Sequence, residues 1–300
     1  MRIAELLKIK TTLSFEVFPP KDEIPLDGIL NTLSHLYQFK PDFISCTYGA
    51  GGSKRGRNME VCEAVKKSGN TVMPHLTCIG NSRSNISETI NNYAAMEFEN
   101  ILALRGDFPE GMNTTDGDFS HADELIDYIS TAFPQFCISA AAYPEKHLSA
   151  PSMQTDIDYL RRKQDKGAQV IMTQLCHDVS AFERFLEQIR KAGVTLPVIA
   201  GIMPVLVCEP IIRMTLFNGC SIPAELAAII GKYQNDPKSF TRAGIEFTVV
   251  QIHRFIAAGI NGLHLYSLNK WEKLTEILTM ANIGDSLKMA NSFFDIPVTT

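Results

Sequence analysis

Polar and charged residues interrupt short apolar segments along the whole chain. Glu16 lies inside the run SFEVF, and Arg105, Gly106 and Asp107 end the run ALRGD. Polar groups inside apolar strands are costly unless they are hydrogen-bonded. Folding alone therefore does not explain why they recur at the end of nearly every such segment. The other polar residues at these ends are Thr47, Tyr48, His75, Thr77, Tyr143, Glu145, His147, Gln174, Tyr266, Asn269 and Lys270.

Two of these residues, Glu16 and Asp107, have carboxyl groups that could take part in catalysis or ligand binding. A carboxyl group inside an apolar strand favours its protonated form, so Glu16 could act as a general acid. The alternative for Glu16 is a buried structural ion pair with an arginine or a lysine. Gly106 allows close approach of the backbone, and Arg105 with Asp107 offers a donor fork and a carboxylate to a polar ring system.

Histidines and cysteines were considered as metal ligands. His75 and His147 have no second histidine or cysteine at ligand spacing, so a hydrogen-bonding role is the better interpretation. A thiolate or metal site from Cys176, His177 and Cys208 is an alternative that only their positions after neighbouring strands support. The sequence contains no GxSxG, HExxH or Walker A motif, so hydrolase and nucleoside-triphosphatase functions lack their motifs.

Eight short β-branched or apolar runs must position these residues, and a helical pattern follows each run. Eight units in 300 residues give about 37 residues each, close to the repeat of a (β/α)8 barrel. We therefore predict an α/β fold in which residues 1–300 form a single (β/α)8 TIM barrel domain. A doubly wound open sheet is the alternative, weakened by the absence of GxGxxG after the first strand. The predicted strands are 13–18, 43–49, 71–78, 100–107, 137–144, 169–175, 197–204 and 262–268.

The interval between strands 7 and 8 is longer than the others. It contains nearly sixty residues and two helical patterns, 222–233 and 237–258, which predict an extra helix between these strands. Residues 285–300 have weak periodicity and are expected to pack loosely on the barrel. Ser180, followed three residues later by Glu183, predicts a helix N-cap.

Composition excludes several classes of protein. Hydrophobic residues make up 45% and charged residues 20% of the chain, which is typical of a soluble globular enzyme. The longest apolar runs predict neither a membrane span nor a signal-peptide core. A net charge of −5 is not that of a typical nucleic-acid-binding protein, which has an excess of basic residues. Seven cysteines without a CxxC pair indicate reduced thiols and predict a cytoplasmic protein.

The motifs at the strand ends match, in order, those of a known family. They are SFEVFPPK, SCTYGAGG, PHLTC, ALRGD, AAYPEKH, TQ, GIMPV and YSLNK. From about residue 13 to residue 270 the chain resembles the 5,10-methylenetetrahydrofolate reductase family of the bacterial type. The resemblance implies a FAD-containing (β/α)8 barrel that reduces 5,10-methylenetetrahydrofolate to 5-methyltetrahydrofolate in one-carbon metabolism and methionine biosynthesis.

The resemblance also implies roles for individual residues. Glu16 matches the acid that protonates N10 and opens the imidazolidine ring, which exposes a 5-iminium cation to hydride from FAD. Asp107 matches the carboxylate beside the flavin that hydrogen-bonds the pterin and favours that cation. Gln174 matches the pterin-contacting glutamine. Lys270 stands where the enteric-type pattern has arginine, so it keeps the charge for the folate glutamate tail without the bidentate fork. The implied FAD contacts are Thr47, Tyr48, Ala50, His75, Arg105, Gly106, Asp107, Tyr143, His147, Asp156, Arg162 and Lys163.

Departures from the enteric-type pattern concern the electron donor. That pattern has aromatic residues after TQ and after GIMPV, where this chain has LCHD (175–178) and Cys208. The predicted donor is NADH or NADPH with weaker stacking, or a partner protein that carries flavin or iron–sulfur centres.

The sequence leaves open the direction of the reaction and whether the chain forms a homo-oligomer. The alternative functions are another flavin or pterin barrel, such as a proline dehydrogenase-like oxidase or a pterin methyltransferase, and a non-catalytic flavin- and folate-binding subunit of an electron-transfer complex.

Overall fold

Eight parallel strands close into a barrel in the order of the sequence, with β1 beside β8. The computed structural model describes residues 1–48, 57–108 and 117–291. The prediction of an α/β (β/α)8 barrel is confirmed, and each strand overlaps its predicted segment. The strands are β1 (Thr12–Val17), β2 (Phe43–Cys46), β3 (Val72–Thr77), β4 (Asn100–Leu104), β5 (Cys137–Ala142), β6 (Val170–Thr173), β7 (Val198–Ile202) and β8 (Gly262–Tyr266).

Helices surround the barrel, and a 3-10 helix (Tyr37–Phe39) extends the second of them. In the described part of the chain, no helix has the length and apolarity needed to cross a membrane. The helices are α1 (Ile3–Leu6), α2 (Asp27–Leu36), α3 (Asn58–Lys67), α4 (Arg83–Ala95), α5 (Ala122–Ala132), α6 (Met153–Asp165), α7 (Val179–Lys191), α8 (Cys208–Phe217), α9 (Ala224–Tyr233), α10 (Pro237–Ala257), α11 (Trp271–Met280) and α12 (Ile283–Asn291).

The insertion between β7 and β8 is confirmed and contains α8, α9 and α10, one helix more than the two predicted patterns. Helix α8 is not among the predicted helical patterns. Pro210 lies in its first turn, where a backbone N–H would have no acceptor within the helix. A proline at this position therefore does not interrupt α8. Leu216 and Phe217 are exposed at its end, so the apolar residues of α8 do not form a single buried stripe.

Two local predictions outside the barrel need correction. The N-cap of α7 is Asp178 and not Ser180, because the Asp178 carboxylate accepts the Ser180 N–H at 2.9 Å and Ser180 is already helical. The tail predicted to pack loosely is helical as far as Asn291, where α12 ends, and residues 292–300 lie outside the described residues. The Asn291 side chain accepts a hydrogen bond from the Thr11 backbone N–H, which ties α12 to the start of β1.

Side chains along each strand point alternately to the outside and the inside of the barrel, and they form two separate cores. Leu13, Phe15 and Val17 of β1 face outward and join the large core between the strands and the helices. The inward residues near the beginning of the strands pack with α1 in a second, apolar core, which we call the barrel floor. It consists of Ile3, Leu7, Phe43, Met73, Leu102, Cys137, Val170, Met172 and Ile199.

Helix α1, which the sequence analysis did not predict, closes the barrel floor. The Ile3 backbone N–H donates to the Asn100 side-chain oxygen at 2.7 Å, and the Asn100 amide donates to the Met1 carbonyl at 3.0 Å. Farther along the strands the inward residues are mostly polar, and we call this group the barrel mouth. It consists of Ser14, Glu16, Ser45, Thr47, His75, Thr77, Tyr143, Gln174, His264 and Tyr266.

Candidate active site

Glu16 lies between two histidines in the barrel mouth. Its side chain is buried on β1, with Oε2 at 3.6 Å from His75 Nε2 and 3.9 Å from His264 Nε2. Burial lowers the pKa of His75 to about 4, against the opposing effect of Glu16 and with a smaller contribution from His264. His75 is therefore neutral near pH 7. Among the described residues Glu16 forms no ion pair with arginine or lysine, so the structural ion pair considered from the sequence is absent.

His264 is a residue of the site that the sequence analysis missed. Its Nδ1 lies 2.8 Å from Ser14 Oγ, and its Nε2 lies 3.2 Å from Ser45 Oγ. Because Ser14 Oγ donates its hydrogen to the Leu263 carbonyl, it is left to accept from Nδ1–H. Nε2 then faces Ser45 Oγ and the Glu16 carboxyl group. The signal in the sequence was a histidine inside the apolar strand GLHLY, the same kind of interruption that singled out Glu16.

The turn after β4 brings Arg105, Gly106 and Asp107 to the barrel mouth. Gly106 has φ +88°, and a Cβ at this position would lie 2.9 Å from Ile79 Cγ2. The turn therefore requires glycine both for its backbone conformation and for space. Arg105 Nε donates to the Gly106 carbonyl at 3.1 Å, and its guanidinium lies over the Phe108 ring at 5.0 Å. Asp107 is exposed, as a residue at the entrance to a binding site would be.

The loop after β5 holds Tyr143, His147 and Asp156 together. The Tyr143 and His147 rings are nearly perpendicular with centroids 4.5 Å apart, and the His147 backbone N–H donates to Asp156 Oδ2 at 2.8 Å. Lys146 has φ +78°, a left-handed conformation that is strained for a lysine and typical of functional loops. Burial raises the pKa of Tyr143 to about 12, with Asp156 contributing, and burial lowers the pKa of His147.

The two basic residues of α6 have different surroundings. Lys163 Nζ donates to the Ala141 carbonyl of β5 at 2.8 Å, and burial lowers its pKa, against the opposing effect of Asp156. Arg162 is exposed, and its guanidinium lies over the Tyr159 ring at 5.1 Å. The structure thus brings Lys163, and not Arg162, to the group formed by the loop after β5.

The remaining predicted contacts lie around the rim. The Gln174 side-chain oxygen accepts the Leu175 N–H at 2.8 Å, which fixes the amide just after β6. Lys270 is exposed at the beginning of α11. The Thr47 carbonyl accepts from the Asn58 amide at 2.8 Å, and Tyr48 beside it is half-buried. The predicted FAD contact Ala50 falls outside the described residues.

Cys176, His177 and Cys208 do not form a metal centre. Cys176 Sγ lies 3.6 Å from Glu145 Oε2, and burial raises its pKa well above the usual range. The buried His177 ring faces Phe247 of α10 at a centroid distance of 6.4 Å, and burial lowers its pKa to about 4. Across residues 1–48, 57–108 and 117–291, no group of three or more His, Cys, Asp or Glu side chains could hold a metal ion.

Comparisons with known proteins agree with the motifs. The family model for methylenetetrahydrofolate reductase matches residues 2–282. The chain is 33% identical over 300 residues to methylenetetrahydrofolate reductase (NADH) 1 of Arabidopsis thaliana, with 94% of the chain and 50% of that protein covered. It is 30% identical over 267 residues to 5,10-methylenetetrahydrofolate reductase of Pectobacterium carotovorum subsp. carotovorum, with 89% and 88% covered.

The chain spans about half the length of the plant protein and most of the length of the bacterial one. Among solved structures, an uncharacterized protein from Clostridium thermocellum that binds two copies of 5-methyl-5,6,7,8-tetrahydrofolic acid is similar in fold. Its TM-score is 0.61 at 13% sequence identity, with 96% of each chain covered. At that identity the likeness shows the fold alone. From the family match and the bacterial relative together, we conclude that the chain belongs to the methylenetetrahydrofolate reductase family.

Proposed function

We propose that the chain reduces 5,10-methylenetetrahydrofolate to 5-methyltetrahydrofolate with bound FAD, and that residues 1–300 act as one flavin- and folate-binding barrel domain. The observation that carries the proposal is the buried carboxyl group of Glu16 at the barrel mouth, which among the described residues has two histidines within 4 Å and no ion pair with a lysine or an arginine. A carboxyl group without a permanent cationic partner is free to exchange a proton with a bound ligand.

Glu16 is the proposed acid for opening the folate ring. Its proton passes to N10 of the substrate, the bond between N10 and the methylene carbon breaks, and an iminium cation remains at N5. His264, held by Ser14 and Ser45, places its Nε2 3.9 Å from the Glu16 carboxyl group. Asp107 at the entrance supplies a negative charge that favours the cation. FAD, when bound and reduced, would supply the hydride that reduces the methylene carbon.

The residues around the mouth fit FAD. His75 Nε2 is buried and has no hydrogen-bond partner among the described residues, which is costly unless a ligand or water completes it. Arg105 and Lys163 are cationic partners for the pyrophosphate. Gly106 permits close approach of a ring to the backbone. The other proposed contacts are Thr47, Tyr48, Ala50, Asp107, Tyr143, His147, Asp156 and Arg162.

Two residues are proposed to contact the folate. The Gln174 amide oxygen is engaged by the Leu175 N–H, so its NH₂ group is the part left to donate to the edge of the pterin. Lys270 is exposed at the rim and offers its charge to the glutamate tail.

The electron donor is proposed to be NADH, NADPH or an electron-transfer partner protein, with a donor half-reaction that differs from the enteric type. Leu175, Cys176 and His177, where that type has aromatic residues, are 1%, 2% and 3% exposed and pack into the protein. They therefore offer little surface on which a nicotinamide or an adenine could stack. Stopped-flow mixing of the oxidised protein with NADH and with NADPH tests whether the donor half-reaction differs from the enteric type. Slow or no bleaching of the flavin band is expected, and rapid bleaching by either nucleotide would contradict this difference.

The proposed function is tested with the purified full chain. We expect an absorbance spectrum with a bound flavin, and after anaerobic photoreduction we expect 5,10-methylenetetrahydrofolate to reoxidise the flavin with formation of one equivalent of 5-methyltetrahydrofolate. Tetrahydrofolate, which lacks the methylene bridge, is the control and should leave the flavin reduced. A protein that binds no flavin, or whose reduced flavin ignores the methylene compound, would contradict the proposal.

A further inference from the structure

Helix α10 presents one polar face to the rest of the barrel. Thr241, Gly244, Thr248 and Gln251 are spaced by three, four and three residues, so they lie in line on one side of the helix. Thr248 and Gln251 are 0% and 3% exposed. Buried polar side chains on a helix need hydrogen-bond partners, and here the partners belong to two loops at the barrel mouth. We call these four residues the α10 polar face.

The first loop held by the α10 polar face is the one after β7. The Val205 backbone N–H donates to Thr248 Oγ1 at 3.1 Å, and Thr241 Oγ1 donates to the Leu206 carbonyl at 2.8 Å. Gly244 lies between them, and a Cβ there would overlap the Val205 carbonyl oxygen. The helix backbone and the loop backbone are therefore in direct contact.

The second loop is the one after β6, and Gln251 is its contact. Gln251 Nε2 donates to the Cys176 carbonyl at 3.2 Å and to the His177 carbonyl at 3.0 Å. Both of these residues are buried, so the carbonyls would be left without these donors if Gln251 were apolar. The next residue back, Leu175, donates its N–H to the Gln174 side-chain oxygen. The backbone of Leu175 and Cys176 thus connects the carbonyls that α10 holds to the hydrogen bond that fixes the Gln174 amide.

We propose that Gln251 is a positioning residue for folate: by holding the loop after β6, it sets the orientation of the Gln174 amide. This rests on the proposed function, in which Gln174 contacts the pterin. The same helix holds the loop after β7 through Thr248, so one face of the insertion between β7 and β8 fixes two neighbouring parts of the barrel mouth. The flavin contacts on β3, β4 and β5 lie outside this set of hydrogen bonds.

The proposal is tested first without any catalytic readout. Gln251→Met keeps the size of the side chain and removes both donors, so the Leu175 amide should exchange its hydrogen about tenfold faster. Thr248→Val should accelerate exchange at Val205 and leave Leu175 unchanged. Gln188→Met, on the exposed side of α7, is the matched control for the substitution. Unchanged exchange at Leu175 in Gln251→Met would overturn the proposal.

The second test is kinetic. We expect Gln251→Met to raise the KM for 5,10-methylenetetrahydrofolate about tenfold, with full flavin content and a kcat within about twofold of the unmodified chain. In a Gln174→Ala background the same substitution should have almost no further effect, because the residue through which it acts is gone. Additive effects in the double variant, or a loss of flavin parallel to the loss of folate affinity, would overturn the positioning role.

The two proposals fail in different experiments. If the unmodified, reduced protein does not convert the methylene compound, the proposed function fails, and the hydrogen-exchange comparison still decides whether Gln251 holds the loop after β6. If the unmodified protein is active but Gln251→Met has the KM and the exchange of the parent, the positioning role fails and the proposed function stands.

Discussion

The barrel floor and the barrel mouth are built by the same strands and have opposite chemistry. On β3, Met73 belongs to the floor and His75, two residues later, belongs to the mouth. On β2, Phe43 and Ser45 are related in the same way. Because side chains alternate along a strand, a step of two residues keeps the inward direction and changes only the height in the barrel. Height alone therefore separates apolar packing from polar chemistry.

The difference shows where this fold places stability and where it places function. The floor is a packed apolar plug, which contributes through burial. The mouth buries polar groups that are bonded to each other across strands, such as His264 with Ser14 and Ser45. Substitutions in the floor should therefore change the free energy of unfolding and leave the chemistry intact. Substitutions in the mouth should change the chemistry and lower the free energy of unfolding less than those in the floor.

The largest expected effect is that of Glu16→Gln in the mouth. The amide keeps the size of the side chain and cannot give a proton to N10, so the rate of folate reduction should fall by about 10²–10⁴-fold. Flavin content and the midpoint of urea unfolding should stay close to those of the parent. The rate is measured as reoxidation of the reduced flavin by 5,10-methylenetetrahydrofolate in single-turnover experiments.

Glu88→Gln, at an exposed position of α4, is the control for this substitution and should have the parent rate. The experiment also separates a catalyst from a non-catalytic flavin- and folate-binding subunit. A binding subunit has no need of an acid at N10, so an unchanged response to folate in Glu16→Gln would support the binding subunit over the enzyme.

The corresponding substitution in the floor is Met73→Ala. Met73 is fully buried, and its truncation should lower the free energy of unfolding by about 3 kcal/mol, from lost burial and the cavity left behind. Urea denaturation measures this change, and the rate of folate reduction should stay within about twofold under native conditions. Met280→Ala, at a half-exposed position, should be nearly neutral. A large loss of rate in Met73→Ala would mean that floor and mouth are coupled.

Much of the mouth could be predicted from the sequence because its residues interrupt apolar strands locally. Glu16, His75 and Gln174 each follow from the pattern of one segment and from the rule that strand ends meet at one side of a barrel. Gln251 could not be predicted in this way, and for His264 the interruption of GLHLY marks the residue but not its partners. His264 depends on Ser14 and Ser45, which are 250 and 219 residues away along the chain, and Gln251 depends on carbonyls 75 and 74 residues away.

The same reason explains the errors in local structure. A single turn such as α1 has little helical preference of its own and forms because Ile3 and Leu7 pack on the barrel floor. The cap of α7 was assigned to Ser180, because Ser180 and Glu183 match the capping-box pattern. Only the backbone conformation of Asp178 decides between the two candidates.

Acid should destabilise the fold through His177, which is buried in the loop after β6 with a pKa of about 4. In the unfolded chain a histidine has a pKa near 6.5, so the unfolded state binds more protons between pH 6.5 and pH 4 and the folded state loses stability as the pH falls through this window. Between pH 7 and pH 5 this histidine alone should lower the free energy of unfolding by about 2 kcal/mol.

His177→Leu should remove that part of the acid sensitivity. The free energy of unfolding, measured in urea at pH 7 and at pH 5, should fall less in the variant than in the parent, by about 2 kcal/mol. Gln188→Leu, at an exposed position without a titratable group, should keep the parent's pH dependence. If His177→Leu were as acid-sensitive as the parent, the loss of stability would have to come from other groups, with His75 as the next candidate.

The smallest expected effect is that of Tyr266→Phe, which tests whether the polar bonds of the mouth stabilise the fold at all. Tyr266 OH donates to the Thr173 carbonyl at 3.0 Å and reaches β6 from β8 because Gly201 on β7 leaves room beneath it. Burial, reinforced by Glu16, raises the pKa of Tyr266 well above its usual range, so the hydroxyl keeps the proton that it donates. Its removal should lower the free energy of unfolding by about 1 kcal/mol, compared in urea with the exposed Tyr159→Phe. A loss as large as that of Met73→Ala would mean that the mouth stabilises the barrel as much as the floor does.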